Sequence, residues 1–348
     1  SESSLVYLVR ELSKQNITVE TYTPHNNGEG QQSLWSGEHE GQAFCVIQKD
    51  LAHMAQAGDA DIIVTCRAPY LVRENSGFWK KPIYCWHQDN GYGNPWLWSG
   101  DVANAHAGHL HVSEWAMKGL LGELVSQSDR AIINPSLHHV LGNGIPVECS
   151  RFWDVTERKP HRVIYASDPT RGLEKLLDAW PKVREAVPDA ELLLNLGFGV
   201  MLAMRADMPG SPVAQRISVM KDRCAAMTKD GVAYTGWAPQ HEVMAAMKMS
   251  SVYCYPGGPM PEGFGVALAQ AQACGCEVLC PNEGALGEIL VPQPNRLKKD
   301  DPDGLVRQLI TALESPLTDA ARREQSAMIL EKHAWPVVAK RFLELIGA

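Results

Sequence analysis

Short β-branched and apolar runs alternate with segments of helical periodicity along the whole of this 348-residue chain. That alternation restricts the fold severely. Neighbouring strands of a parallel sheet must be joined by a crossover of about a dozen residues or more, and an amphipathic helix covers the sheet face on the way. Strands are expected at 17–23, 43–48, 61–66, 82–87, 109–113 and 130–134, and again at 163–166, 191–196, 232–235, 251–255 and 277–280. The intervening helical patterns include 5–12, 173–187, 239–249, 266–274 and 335–346. Leu173, Leu176, Leu177, Trp180 and Val183 recur on one helical face, where Pro181 is expected to remove a backbone bond and kink the helix. The fold class is α/β with parallel sheets.

A chain of this length exceeds what one hydrophobic core organises, so two domains are expected. Periodicity lapses around Asn143-Gly144-Ile145-Pro146 and resumes after the basic run Arg158-Lys159-Pro160-His161-Arg162. The reading is a first domain over 1–155, a second over 156–334 and a closing helix over 335–348. A doubly wound domain normally opens with a buried strand and a Gly-rich turn, whereas this sequence opens on a helix. An N-terminal strand is therefore expected to be missing from this sequence. The net charge of −8 and the absence of a Lys/Arg block argue against a nucleic-acid partner. No apolar stretch is long enough for a transmembrane helix, which leaves peripheral contact with a membrane surface open. Nine cysteines, scattered singly through strand-like segments, suggest buried thiols and a cytoplasmic setting.

Ligands of open α/β sheets bind beyond the carboxyl ends of the strands, where helix N-termini offer unpaired N–H groups to phosphate. Two such junctions stand out. Pro259-Met260-Pro261-Glu262-Gly263-Phe264-Gly265 joins a strand to a helix, and seven residues separate Glu262 from Gln270 in that helix. Ser167-Asp168-Pro169-Thr170-Arg171-Gly172 is the second, and Arg171 at a helix start has the wrong sign for the helix dipole unless it holds an anion. His106, His109 and His111 fall at ligand-like spacing, but the last two alternate along a strand with Leu110 and Val112, so no metal is assigned. Cys274-Gly275-Cys276 lacks a second ligand pair, and Asp59-Ala60-Asp61 precedes a strand and reads as a turn.

The stretch from Glu262 through Gly275 resembles the Glu-x7-Glu signature of the large retaining GT-B glycosyltransferase family, the family 4-like group. The likeness continues through Pro281 to Glu288, Val232 to Trp237, Ile164 to Trp180 and the closing Trp335 helix, and is looser in the first half. It implies two Rossmann-like domains facing a central cleft, with the last helix crossing back to the first domain. It further implies that Glu262 contacts donor-sugar hydroxyls and that backbone groups of Gly263, Phe264 and Gly265 face sugar and diphosphate. Arg171 matches a Lys that binds the diphosphate, while the family's companion Arg falls at Ala166 or Ser167, leaving Ser167 beside the phosphates and one cation missing. The family's second Glu, a ribose ligand, is Gln270 here. Trp237 lies where the nucleotide base stacks, and His87, in Tyr84-Cys85-Trp86-His87-Gln88-Asp89, matches a strand-end His that reaches the donor sugar.

The implied activity is metal-independent transfer of a hexosyl group from a nucleoside diphosphate sugar to a saccharide or glycoconjugate hydroxyl, with retention and no cofactor. The aromatic segment from Tyr92 to Trp98 is a candidate stacking surface for an acceptor sugar, and Ser113 matches a family Ser without an evident role. Two other readings are a nucleotide-sugar epimerase of the same architecture and a catalytically weak nucleotide-sugar-binding protein.

Overall fold

The computed structural model describes residues 2–15, 17–21, 35–39, 42–46, 60–67, 81–89, 100–127, 134–150, 158–198, 211–292 and 297–347. The chain divides into two compact units, one of residues 1–144 with 335–348 and the other of residues 145–334. The boundary expected at 155/156 falls within residues 151–157, which lie outside the described residues.

In the first unit the helix α1 (Glu2–Ser13) precedes β1 (Glu20–Thr21), β2 (Trp35–His39) and β3 (Gln42–Val46), which form one small sheet in the order β1-β3-β2. Strand β2 was not expected, since Trp-Ser-Gly-Glu-His carries no β-branched run. Only two residues separate it from β3, too few for a crossover, and the pair is accordingly antiparallel. A second sheet contains β4 (Ile63–Cys66), β5 (Ile83–His87), β6 (Gly108–His111) and β7 (His138–Val140), all parallel and in sequence order. Between them run α2 (Gly100–Asn104) and α3 (Glu114–Gln127). The expected strand at 130–134 falls mainly outside the described residues. The edge strand that follows is β7, whose polar His138-His139 start carries no strand signal.

One face of this sheet is apolar. Trp86, Leu110 and Leu141 pack with Leu8 and Leu12 of α1 and with Trp335, Val338, Ala339 and Phe342 of the last helix, α11 (Trp335–Ile346). The helix is pinned there by Tyr7, which stacks on Trp335, and by Arg341, whose Nη1 donates to the Leu141 carbonyl over 2.8 Å. Gly144 lies so close against the Trp335 ring that a Cβ would overlap it.

The second unit is a five-stranded parallel sheet of β8 (Lys159–Tyr165), β9 (Glu191–Leu194), β10 (Val232–Tyr234), β11 (Ser250–Cys254) and β12 (Glu277–Leu279), in the order β10-β9-β8-β11-β12. The chain winds outward from β8 to β10, then returns to β11 and winds the other way, so its topological switch lies between β8 and β11. The helices are α4 (Leu173–Ala186), α5 (Pro212–Ala226), α6 (Gln240–Lys248), α7 (Val266–Ala273), α8 (Leu286–Ile289), α9 (Pro302–Glu314) and α10 (Asp319–His333). Helix α4 runs on through Pro181 as one element and buries Leu173, Leu176, Leu177, Trp180 and Val183 in the main core with Leu192, Leu194, Leu309 and Leu313. Both units fit the parallel α/β expectation. Among the described residues no helix is long and apolar enough to cross a membrane.

Candidate active site

The two loops singled out in the sequence are the loops at the switch point, because β8 leads into the Arg171 loop and its neighbour β11 into the Glu262 loop. Asp168 shapes the first: its Oδ1 accepts from the Thr170 N–H at 2.8 Å and the Thr170 hydroxyl at 2.6 Å, while its carbonyl accepts from Tyr165 Oη and the Arg171 N–H. Gly172 then turns into α4 with φ 99°, and a Cβ there would stand 2.8 Å from the Gly257 carbonyl oxygen. Only glycine satisfies both the left-handed backbone and that approach between loops.

Glu262 crosses to meet this loop. Its Oε1 accepts from Arg171 Nη1 and, over 2.5 Å, from the Tyr255 hydroxyl at the end of β11. The Glu262 carbonyl accepts from the Ala285 N–H at 2.9 Å, so the residue is held at both its side chain and its backbone. The Glu262 side chain is 13% exposed and that of Arg171 45%. Burial would lower the Arg171 pKa, but the Glu262 charge and hydrogen bond outweigh it and the guanidinium is held more firmly protonated than usual. The Tyr255 hydroxyl is raised, first by burial and then by the Glu262 charge, and stays a donor.

Both helices that open here lack a side-chain cap. α4 starts on Gly172 and α7 on Gly265, each left-handed, whereas Ser211, Asp301 and Thr318 cap α5, α9 and α10. First-turn N–H groups of α4 and α7 are thus left for a ligand, and they carry the positive ends of the helix dipoles.

The remaining predicted residues of this unit distribute as follows. Gln270 is buried, and its Oε1 accepts from Gln240 Nε2 at 2.8 Å. Trp237, three residues before Gln240, is 70% exposed. Phe264 turns its ring inward, edge-on to His333 at 5.3 Å, so only its backbone is left for a ligand. Ser167 is half-buried in the Arg171 loop. Tyr255 and Gln240 were not foreseen. Tyr255 closes an apolar strand and Gln240 opens an ordinary amphipathic helix, so their roles come only from the contacts they make.

His87 belongs to the first unit. It is buried, with Nε2 2.9 Å from His109 Nδ1 and Nδ1 4.0 Å from Cys85 Sγ. His106, His109, His111 and His138 are buried around it. Burial, with the neighbouring imidazoles adding to it, keeps them neutral: His87 lies well below the ordinary histidine value, His109 is pushed down to about 3 and His138 to about 4. Ser113 now has a place, since its Oγ accepts from the Ala116 N–H and opens α3. Residues 91–99, with the aromatic segment, lie outside the described residues, as does Asp59. Cys276 donates its S–H to the Met247 carbonyl, and Cys274 and Cys276 are both buried with thiols raised by burial.

Residues 162–328 match the family described as glycosyl transferases group 1. The second unit is a group 1 glycosyltransferase domain. Its curated relatives include a GDP-mannose-dependent monoacylated alpha-(1-6)-phosphatidylinositol monomannoside mannosyltransferase of Corynebacterium glutamicum, 25% identical over 185 residues, 51% of this chain and 44% of that protein. A phosphatidyl-myo-inositol mannosyltransferase of Mycobacterium tuberculosis is 27% identical over 189 residues, again 51% and 44% of the two chains. The chain spans less than half the length of these relatives. Among solved structures, the UDP-forming alpha,alpha-trehalose-phosphate synthase of Burkholderia xenovorans, in complex with glucose-6-phosphate, superposes with a TM-score of 0.74 over 99% of this chain and 96% of its own, at 13% identity. HepE of Anabaena, in complex with UDP and glucose, gives 0.63 over 85% and 80%, at 16% identity. At these identities the structural likeness speaks for the GT-B fold.

Proposed function

We propose that this glycosyltransferase moves a hexosyl group from a nucleoside diphosphate sugar to a hydroxyl of a saccharide or glycoconjugate acceptor, with retention and without a metal at the diphosphate. The observation that carries the reading is the meeting of Arg171 and Glu262 at the β8/β11 switch, beside two uncapped helix N-termini. As the glycosidic C–O bond breaks, negative charge grows on the departing diphosphate. Arg171 and the first-turn N–H groups of α4 and α7 stabilise that charge as fixed dipoles. Glu262 binds sugar hydroxyls. Its Oε1 accepts from both Arg171 and Tyr255, which draws charge from the carboxylate, disfavours it as a covalent nucleophile and fits a same-face route in which the leaving phosphate assists the acceptor. Trp237 offers an exposed ring to the base, and the Gln270–Gln240 pair takes the ribose side. The buried thiols fit a reducing cytoplasm.

The test is a thermal-shift screen of UDP-, GDP- and ADP-sugars, starting with GDP-mannose and UDP-glucose, followed by acceptor assays on the stabilising donor. Stabilisation of several degrees and an anomeric configuration preserved in the product are expected. An inverted product, or donor epimerisation without acceptor, would overturn the reading.

A further inference from the structure

The histidines of the first unit form a second cluster, independent of the proposed transfer site. Period-2 alternation and register explain it: Cys85 and His87 share one face of β5, Cys85 stands opposite His109 on β6, His87 opposite His111, and His109 opposite His138 on β7. The other face of the same strands carries Trp86 and Leu110 into the apolar core. The grouping that His106, His109 and His111 suggest by spacing is therefore not the one the fold assembles. Cys85, His87 and His109 each bring one donor atom to within 4.8 Å of the others, and all three are buried.

The tautomers of this cluster are fixed from one end. A carbonyl only accepts, so the 2.9 Å contact of His109 Nε2 with the Ala103 oxygen places the His109 proton on Nε2. The neutral ring then presents its Nδ1 lone pair inward, where His87 Nε2 lies 2.9 Å away. Anchoring the outer nitrogen of a histidine on a backbone carbonyl is the arrangement that orients metal-binding imidazoles. His106 is held alike, donating from Nδ1 to the Val102 carbonyl at 2.8 Å, and its Nε2 is a buried lone pair with no partner among the described residues. None of these contacts involves a carboxylate. The cluster is one thiol and neutral imidazoles, a donor set suited to a borderline-soft divalent ion.

We propose that Cys85, His87 and His109 bind one zinc ion, with the fourth position left to a water or an exogenous ligand. On binding, Cys85 gives up its thiol proton to solvent, and both imidazoles ligate as neutral groups. The facing imidazole nitrogens, 2.9 Å apart around a shared proton, open to about 3.3 Å, the span of two Zn–N bonds near 2.05 Å at a tetrahedral angle. His87 ligates through Nε2, and the proton it held there moves to Nδ1. The ion ties β5 to β6 and takes no part in the departure of the diphosphate.

The intact chain, dialysed against Zn²⁺ and then washed, is expected to retain one equivalent by elemental analysis. Substituted with Co²⁺ it should show tetrahedral d–d bands and a thiolate charge-transfer band. Cys85→Ser removes that charge-transfer band and His109→Gln weakens retention at least tenfold, while Cys224→Ser leaves both unchanged. If the variants fail to fold, X-ray absorption on the wild-type zinc form decides: one sulfur and two imidazoles support the site. A chain that holds no stoichiometric zinc, a charge-transfer band that survives Cys85→Ser, or a shell without sulfur would overturn it.

Discussion

Replacing Glu262 with Gln keeps the shape of the site and removes one charge, which separates its structural from its chemical role. Gln Oε1 still accepts from Tyr255, so the loop loses the difference between a charged and a neutral hydrogen bond, about 1 kcal/mol. The ion pair with Arg171 adds about 0.5 kcal/mol, because that guanidinium is 45% exposed and screened by solvent. Together these lower the melting temperature by about 3–6 °C for a unit of this size. Transfer suffers differently. A carboxylate bonded to a sugar hydroxyl is worth about 1–1.5 kcal/mol more than an amide there, and losing it costs roughly 5- to 12-fold in kcat/KM. The nucleoside diphosphate alone should bind as well as before or more tightly, since Arg171 no longer divides its charge between Glu262 and phosphate. Stopped-flow transfer rates, calorimetric titration of the free diphosphate and a melting curve measure the three quantities. A diphosphate affinity that falls in step with the rate would mean that Glu262 only positions Arg171, and a normal rate would remove it from the site.

Three further substitutions probe the neighbouring contacts. Gly265→Ala puts a side chain at φ 81° and 2.6 Å from Leu286 Cδ2, and should cost about 1–3 kcal/mol in chemical denaturation while abolishing donor-induced stabilisation. Trp237→Ala, at a ring 70% exposed, should leave the melting temperature within about 2 °C and raise donor KM roughly 5- to 10-fold, read from initial rates. Gln270→Glu keeps an acceptor for Gln240 and should change donor Kd less than about threefold; adding Ser167→Arg to that variant should tighten it by at least about fivefold in calorimetry.

Much of the second unit was legible in the sequence because its signals are local. Its strands carry apolar runs at 163–165, 192–194, 252–254 and 278–279, and the left-handed glycines that open α4 and α7 sit beside the residues they position. The two loops that meet at the β8/β11 switch could be named from Arg171-Gly172 and Glu262-Gly263-Phe264-Gly265 alone. What escaped depends on register. Tyr255 reaches Glu262 only because β11 ends where the loop folds back, and Gln240 reaches Gln270 only because α6 and α7 pack side by side. In the first unit β2 and β7 lacked β-branched runs, and the union of Cys85 with His87 and His109 follows from strand order, which no spacing along the chain encodes.

On the proposed function, charge balance accounts for two departures from the family pattern occurring together. The pattern sets two cations and two carboxylates around the donor, and the proposed function gives this chain one of each: Arg171 without its companion at Ala166 or Ser167, and Glu262 without a carboxylate at Gln270. Before donor binding the formal charge of the four positions is zero in both arrangements. An Arg lost on its own would leave the diphosphate facing an uncompensated negative charge, worth about 1–2 kcal/mol at about 8–10 Å and an effective dielectric near 20. Neutralising position 270 removes that penalty at the price of one charged bond to the ribose, about 1 kcal/mol. The two losses offset each other, and Gln240 keeps the neutral amide oriented by holding its oxygen. The diphosphate is then left to one guanidinium, shared with Glu262, and to two helix termini, each equivalent to about half a positive charge.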